Sequence, residues 1–289
     1  MTFAALLTKE LRLRLRRERT IWVLITYLLV MTLLGFLFIS RTNIYNSNSV
    51  STLGLGLYTL LVFVQLFLIM FITPAFTATS INGEKERQTF DLLLCSRLSA
   101  FELVAGKLVA GLANALLLIA ASIPLFSVVF FFGGVGPAQV FQAMLVFVVT
   151  AIVVGTFGLF CSTLLKRPPV SIAIAYMFCV IWVFTPWLLS FLLQLSAPFN
   201  GSAQGSYIFL GNPILAMIST FTFGVGPPIG TVSLFGTSLA PWITYTIINL
   251  LLTIVLLLLS TWLVKPYPIS RLSRLMEKRP RKARAAATV

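Results

Sequence analysis

The sequence predicts an all-α polytopic membrane protein. Six transmembrane helices are expected, with an amphipathic interfacial helix ahead of the first, a cytosolic helix between the second and third, and a re-entrant segment before the sixth. Three observations carry this reading. Hydrophobic residues make up 58% of the 289 and charged residues 10%, where soluble domains carry roughly 25% charged residues. Six apolar windows reach the length of about 20 residues that a bilayer demands: Ile21–Ser40, Leu53–Thr79, Leu108–Phe132, Val140–Leu165, Val170–Leu195 and Pro241–Val264. Twenty of the 21 Lys and Arg residues, all but Arg41, fall on one side of that threading, and the positive-inside rule makes this side the cytoplasm.

The net charge of +14 would suggest nucleic acid in a soluble protein, but here the cations sit in tails and loops on one face of a membrane, so no nucleic-acid role is expected. Both termini are expected in the cytosol. The windows use about half of the chain, which leaves no room for a soluble domain of ordinary size. The expected organisation is a cytosolic interfacial helix over 1–20, a six-span domain over 21–264 and a basic cytosolic tail over 265–289.

Residues 1–20 place Phe3, Leu7, Leu11 and Leu15 on one helical face and Lys9, Arg12, Arg16 and Arg19 on the opposite one. Such a helix lies in the headgroup layer with its basic face toward anionic lipid or protein; the alternative is a basic flank that only orients the first span. The first apolar run is of full span length and ends Ile39-Ser40-Arg41 without a small-x-small cleavage site, so it is expected to be retained as a helix.

The second window runs through Pro74, which a membrane helix tolerates at the cost of a kink. Beyond it lies a charged island, Ile81–Lys107, holding four of the seven acids: Glu84, Glu86, Asp91 and Glu102. Between Glu84 and Leu94, Phe90, Leu93 and Leu94 share a face at i, i+3, i+4 spacing, which predicts a short amphipathic helix and a docking surface for a cytosolic partner. Ser99-Ala100-Phe101-Glu102 then fits the S-x-x-E capping box, so the third helix should begin in the cytosol and enter the membrane near Gly106-Lys107.

The remaining elements are plainer. Cys95 is cytosolic in this threading while Cys161 and Cys179 fall within spans, where they read as small buried hydrophobes. With no His and no carboxylate pair in a span, no metal site is expected. Ser196–Ala240 runs 45 residues without a charge, and its segment Ile214–Phe223 is too short to cross but suits a re-entrant or interfacial helix. Trp242 and Trp262 bracket the last window as an aromatic belt would. The polar residues inside spans, Gln65, Thr73, Asn114, Gln142 and Asn249, are too few to specify a ligand and read as packing glue between helices.

The run Asn82-Gly83-Glu84-Lys85-Glu86-Arg87-Gln88-Thr89-Phe90-Asp91-Leu92-Leu93-Leu94, followed by Leu98-Ser99 and Gly106-Lys107, resembles the signature of ABC-2 type transporter permeases. The sequence departs from that pattern at Gln88, where glycine is usual, and at Arg97, where proline is common. The resemblance implies a permease subunit of an ATP-driven ABC transporter, an exporter in a prokaryotic cell (inner) membrane. It would pair with a second copy or a related permease and with separate ABC ATP-binding subunits. Its ATPase-coupling residues would be Glu84, Lys85, Glu86, Arg87, Phe90, Asp91, Leu93, Leu94 and Arg97. Substrate would cross along the second and fifth spans at the permease interface.

Two features of the residues agree with that implication. The windows hold no ionisable side chain of the kind that marks proton and ion pathways. Gly106-Lys107 lacks the rest of a phosphate loop, so the chain should not be an enzyme by itself, and ATP and Mg would be bound by the partner ATPase. Three competing readings stay open: a self-powered secondary transporter, shown by flux without an ATPase; a membrane-embedded enzyme, shown by activity of the isolated chain; and an ABC-2-like scaffold or sensor, shown by ATP hydrolysis without substrate movement.

Overall fold

A computed structural model describes residues 18–41, 50–86, 88, 99–165, 167–196, 211–221, 232–234 and 237–264. Its long helices are α1 (Glu18–Arg41), α2 (Val50–Thr77), α4 (Ala100–Phe132), α5 (Pro137–Leu164), α6 (Pro168–Ser196) and α8 (Pro241–Val264), and the short ones are α3 (Asn82–Glu86) and α7 (Pro213–Phe221). The six long helices coincide with the six apolar windows, and each is long and apolar enough to cross a membrane. The protein is a multi-pass membrane protein whose described residues are almost wholly helical. One addition is a hairpin of two three-residue strands, β1 (Val232–Leu234) and β2 (Thr237–Leu239), paired antiparallel with Ser233 opposite Ser238.

Helix boundaries follow backbone chemistry rather than hydropathy. α5, α6, α7 and α8 each begin with proline, whose missing N–H falls where a helix has no partner for it and whose fixed φ already suits the first turn. For that reason α5 and α6 start three and two residues ahead of the apolar windows Val140–Leu165 and Val170–Leu195. Ser99 caps α4 as the sequence predicts: its hydroxyl accepts from the Glu102 amide at 3.2 Å, and Glu102 Oε2 accepts from the Ser99 amide at 2.8 Å.

α5 is the hub of the bundle, packing against α2, α4, α6, α7 and α8. In lipid the hydrophobic effect gives helices no reason to associate, so close approach through small residues has to supply the contact. Here Gly155 and Gly158 of α5 and Gly111 of α4 converge on one stripe of α2. A methyl group at Gly111 would stand 2.8 Å from Thr77 Cγ2, and one at Gly158 would collide with Thr77 Oγ1 and come within 3.3 Å of the Ala78 amide nitrogen. A methyl at Gly155 would lie 2.7 Å from Leu112 Cδ2. Two-thirds of the α5 window is buried (67%), against 17% for α1 and α6, which lie on the outside.

At the end of the bundle away from α3, α4 turns into α5 through Gly133 and Gly134, both in the left-handed region at φ 74° and 84°. There a side chain at Gly134 would strike the Ser51 carbonyl, and one at Gly54 would strike the Gly133 carbonyl. α7 sits on α5 and α8 nearby, with Phe221 edge-on to Tyr58 at 5.2 Å between ring centres. Of the two tryptophans of α8, Trp262 is exposed, whereas Trp242 packs partly into the core.

Candidate functional site

The charged island begins where α2 breaks. Past Thr77 the chain makes a turn whose amides bond backward, Ser80 N to Thr77 O at 3.1 Å and Gly83 N to Thr79 O at 3.2 Å, before α3 restarts the helix. A break of this kind leaves buried amides to satisfy. The Ser162 hydroxyl, near the end of α5, accepts from the Ile81 amide at 2.9 Å and the Asn82 amide at 3.0 Å, and donates to Asn82 Oδ1 at 3.1 Å. One hydroxyl thus ties the break to the hub helix. Ser162 and Asn82 are both completely buried.

Two charges of the island complete the anchorage. Lys85 Nζ donates to the Thr163 carbonyl of α5 at 2.7 Å. Glu84 Oε1 accepts from Lys107 Nζ of α4 at 2.5 Å. The Lys107 side chain is 3% exposed and that of Glu84 24%, so the pair stands at the edge of the protein interior. A charge held there without its partner would be costly, and the pair keeps Lys107 paired on a face of α4 otherwise formed by Leu103, Val104 and Gly111. α3 is therefore fastened to α4 and α5 at once.

Of the residues singled out in the sequence, Glu84 and Lys85 turn inward to these partners, while Glu86 is exposed. Arg87, Phe90, Asp91, Leu93, Leu94 and Arg97 lie outside the described residues, as do Lys9, Arg12, Arg16 and the Arg19 side chain. Gln88 follows α3 at φ 58°, the left-handed conformation in which a helix most often ends on glycine. This is one of the two positions at which the sequence departs from the resembled signature. Sequence reasoning missed Ser162 and Thr163, which lie 80 and 78 residues from their partners Asn82 and Lys85. It placed Lys107 where the third helix enters the membrane, but did not identify Glu84 as its partner.

A second feature lies on the outer side of α2. α1, α2 and α6, with Ile214 of α7, line an open-sided cavity of about 700 Å³. Its walls include Leu34 of α1, Phe67 and Phe71 of α2, and Tyr176, Val180 and Phe184 of α6. None of Gln65, Thr73, Asn114, Gln142 and Asn249 lines it. Gln65 instead accepts from the Tyr27 hydroxyl of α1, and Asn249 Nδ2 donates to the Tyr245 carbonyl at 2.9 Å. Gln65, Thr73, Asn114 and Asn249 are buried, but of these only Gln65 makes a described bond to another helix: Asn249 bonds within α8, and Thr73 Oγ1 and Asn114 Oδ1 have no partner among the described residues.

A six-helix membrane bundle with this charged elbow has a counterpart among known families, since the family model described as ABC-2 type transporter matches residues 1–197. The chain belongs to the ABC-2 type transporter family. It is accordingly the membrane component of such a transporter and not its ATPase. The family match covers α1 to α6 and stops short of α7, the hairpin and α8. No curated protein matches the chain.

Proposed function

We propose that the chain is the permease of an ATP-driven exporter in a prokaryotic inner membrane, with its termini and the 81–107 island in the cytosol. It works as a dimer with a second copy or a related permease, and is driven by separate ABC ATP-binding subunits that bind ATP and Mg. The observation that supports this reading is the fastening of α3 to both α4 and α5 through Lys107, Ser162 and the Thr163 carbonyl. A force applied by an ATPase to the island would not be lost in a flexible connector. It would pass through three short polar contacts into α2, α4 and α5 together, the helices that glycine contacts already hold as one body.

This assignment divides the island by role. Glu84 and Lys85 anchor it from within, leaving Glu86, Arg87, Phe90, Asp91, Leu93, Leu94 and Arg97 to meet the ATPase. The apolar members should dominate that contact, each costing on the order of 2 kcal/mol when truncated, with the rim charges contributing less. The test is Phe90→Ala combined with Leu94→Ala, coexpressed with the ATP-binding subunit. Loss of copurification at unchanged membrane abundance is the expected result. Normal copurification and normal ATP-dependent transport in that variant would overturn the coupling assignment, and ATP hydrolysis without any substrate movement in the parent would favour a scaffold or sensor.

A further inference from the structure

Two prolines interrupt the helices that wall the cavity, Pro74 in α2 and Pro186 in α6. Each removes the N–H donor of the carbonyl four residues before it, Met70 or Trp182, and crowds that turn, which opens the neighbouring carbonyls to donors from outside the helix. In both helices the carbonyl three residues before the proline receives a side-chain donor from a neighbouring segment. The Tyr176 hydroxyl of α6 donates to the Phe71 carbonyl of α2 at 2.7 Å. Asn212 Nδ2, just ahead of α7, donates to the Val183 carbonyl of α6 at 3.0 Å, while Asn212 Oδ1 accepts from the Ile214 amide at 2.8 Å.

The placement of these bonds is what gives them significance. Phe71, Tyr176 and Val183 all line the cavity, and Ile214 closes it on the α7 side. α6 is among the least buried of the long helices and meets the hub through α5, where Phe157 stacks on Phe178 at 3.8 Å. Its hold on α2 is slight by comparison. One bond clips α6 to α2 and the other clips it to α7, each at a proline-bent turn where a helix can pivot without unravelling.

We propose that Tyr176 and Asn212 are paired positioning residues that set the separation of α6 from α2, and that release of these two clips widens the cavity between them. Neither residue is a ligand in this account. Each acts through a backbone carbonyl on the wall opposite or adjacent to it. The proposal rests on the permease reading only for its consequence, which is that the widened state would be the one that admits or releases cargo.

The test reads the wall separation directly in the intact chain in lipid nanodiscs. Cys95, Cys161 and Cys179 are replaced by Ala, and spin labels are placed at positions 67 and 184, exposed sites on the α2 and α6 walls. A second label pair at positions 116 and 141, exposed on α4 and α5, serves as the control. Tyr176→Phe removes only the donor oxygen, and Asn212→Ser keeps a cap for the Ile214 amide while giving up the reach to Val183. Each variant should add a population of longer 67-to-184 separation, dominant in the double variant, with the control pair unchanged. Distributions identical to the parent in all three variants, or widening of the control pair as well, would overturn the proposal. Because no ATPase is present, failure of the permease reading would leave these distances untouched and would show itself only in the copurification experiment.

Discussion

The two sides of α2 are built on opposite plans. On the inner side, glycines of α4 and α5 press against Thr77, and the break into α3 is fixed by a hydroxyl, a carbonyl and a half-buried ion pair. On the outer side, α1 and α6 flank an open-sided apolar cavity of about 700 Å³, and α6 is tied across to α2 by a tyrosine at a proline turn. Packing without voids transmits displacement, whereas a cavity absorbs it. The difference teaches where a membrane bundle of uniform hydropathy can be stiff and where it can yield. Stiffness here comes from small residues and polar contacts, while every one of these helices is apolar enough to cross a membrane.

The comparison can be broken most severely at Lys107. Lys107→Ala leaves Glu84 facing an empty place at the interior edge and should destabilise the elbow by roughly 3 kcal/mol, read as a lower thermal midpoint of the detergent-solubilised protein. Ser162→Ala withdraws the acceptor from two buried amides. A loss of about 2 kcal/mol is expected, which corresponds to roughly 30-fold faster hydrogen exchange at Ile81 and Asn82 and little change at Glu102. Gly158→Ala forces a methyl against Thr77 and the Ala78 amide, where overpacking costs typically about 1–3 kcal/mol, and thermal unfolding should register it.

Smaller effects sharpen the contrast. Gln88→Gly relieves a left-handed residue at the end of α3 and should stabilise the elbow by about 1 kcal/mol, seen as slower proteolysis of the island. On the outer side, Phe67→Leu at an exposed cavity wall should change the stability by less than about 0.5 kcal/mol, leaving the thermal midpoint nearly unmoved.

How much of this was legible in the sequence follows from the range of each interaction. The six spans were legible because a bilayer imposes its length on every apolar run, and the Ser99 cap because both partners lie within three residues. Span starts were displaced because hydropathy windows ignore proline, which opens α5 and α6 ahead of the apolar residues. The helix expected over Glu84–Leu94 is seen only as Asn82–Glu86, with Gln88 left-handed after it and 89–98 outside the described residues. The sequence did not show which charges face inward, since Glu84 finds Lys107 23 residues away and Asn82 finds Ser162 80 residues away. Gln65 and Asn114 were readable as buried from their isolation in apolar runs, while Tyr27, the partner of Gln65, carried no signal of its own. The β1–β2 hairpin escaped notice because three-residue strands in an uncharged loop leave no alternation to read.

The claim that the elbow is fastened to the bundle through its ion pair is tested most directly by a double-mutant cycle on Glu84 and Lys107. Glu84→Lys and Lys107→Glu should each lower the thermal midpoint, and the exchanged pair carrying both substitutions should recover most of that loss together with association of the ATP-binding subunit. Strictly additive losses, with the exchanged pair less stable than either single variant, would contradict the account.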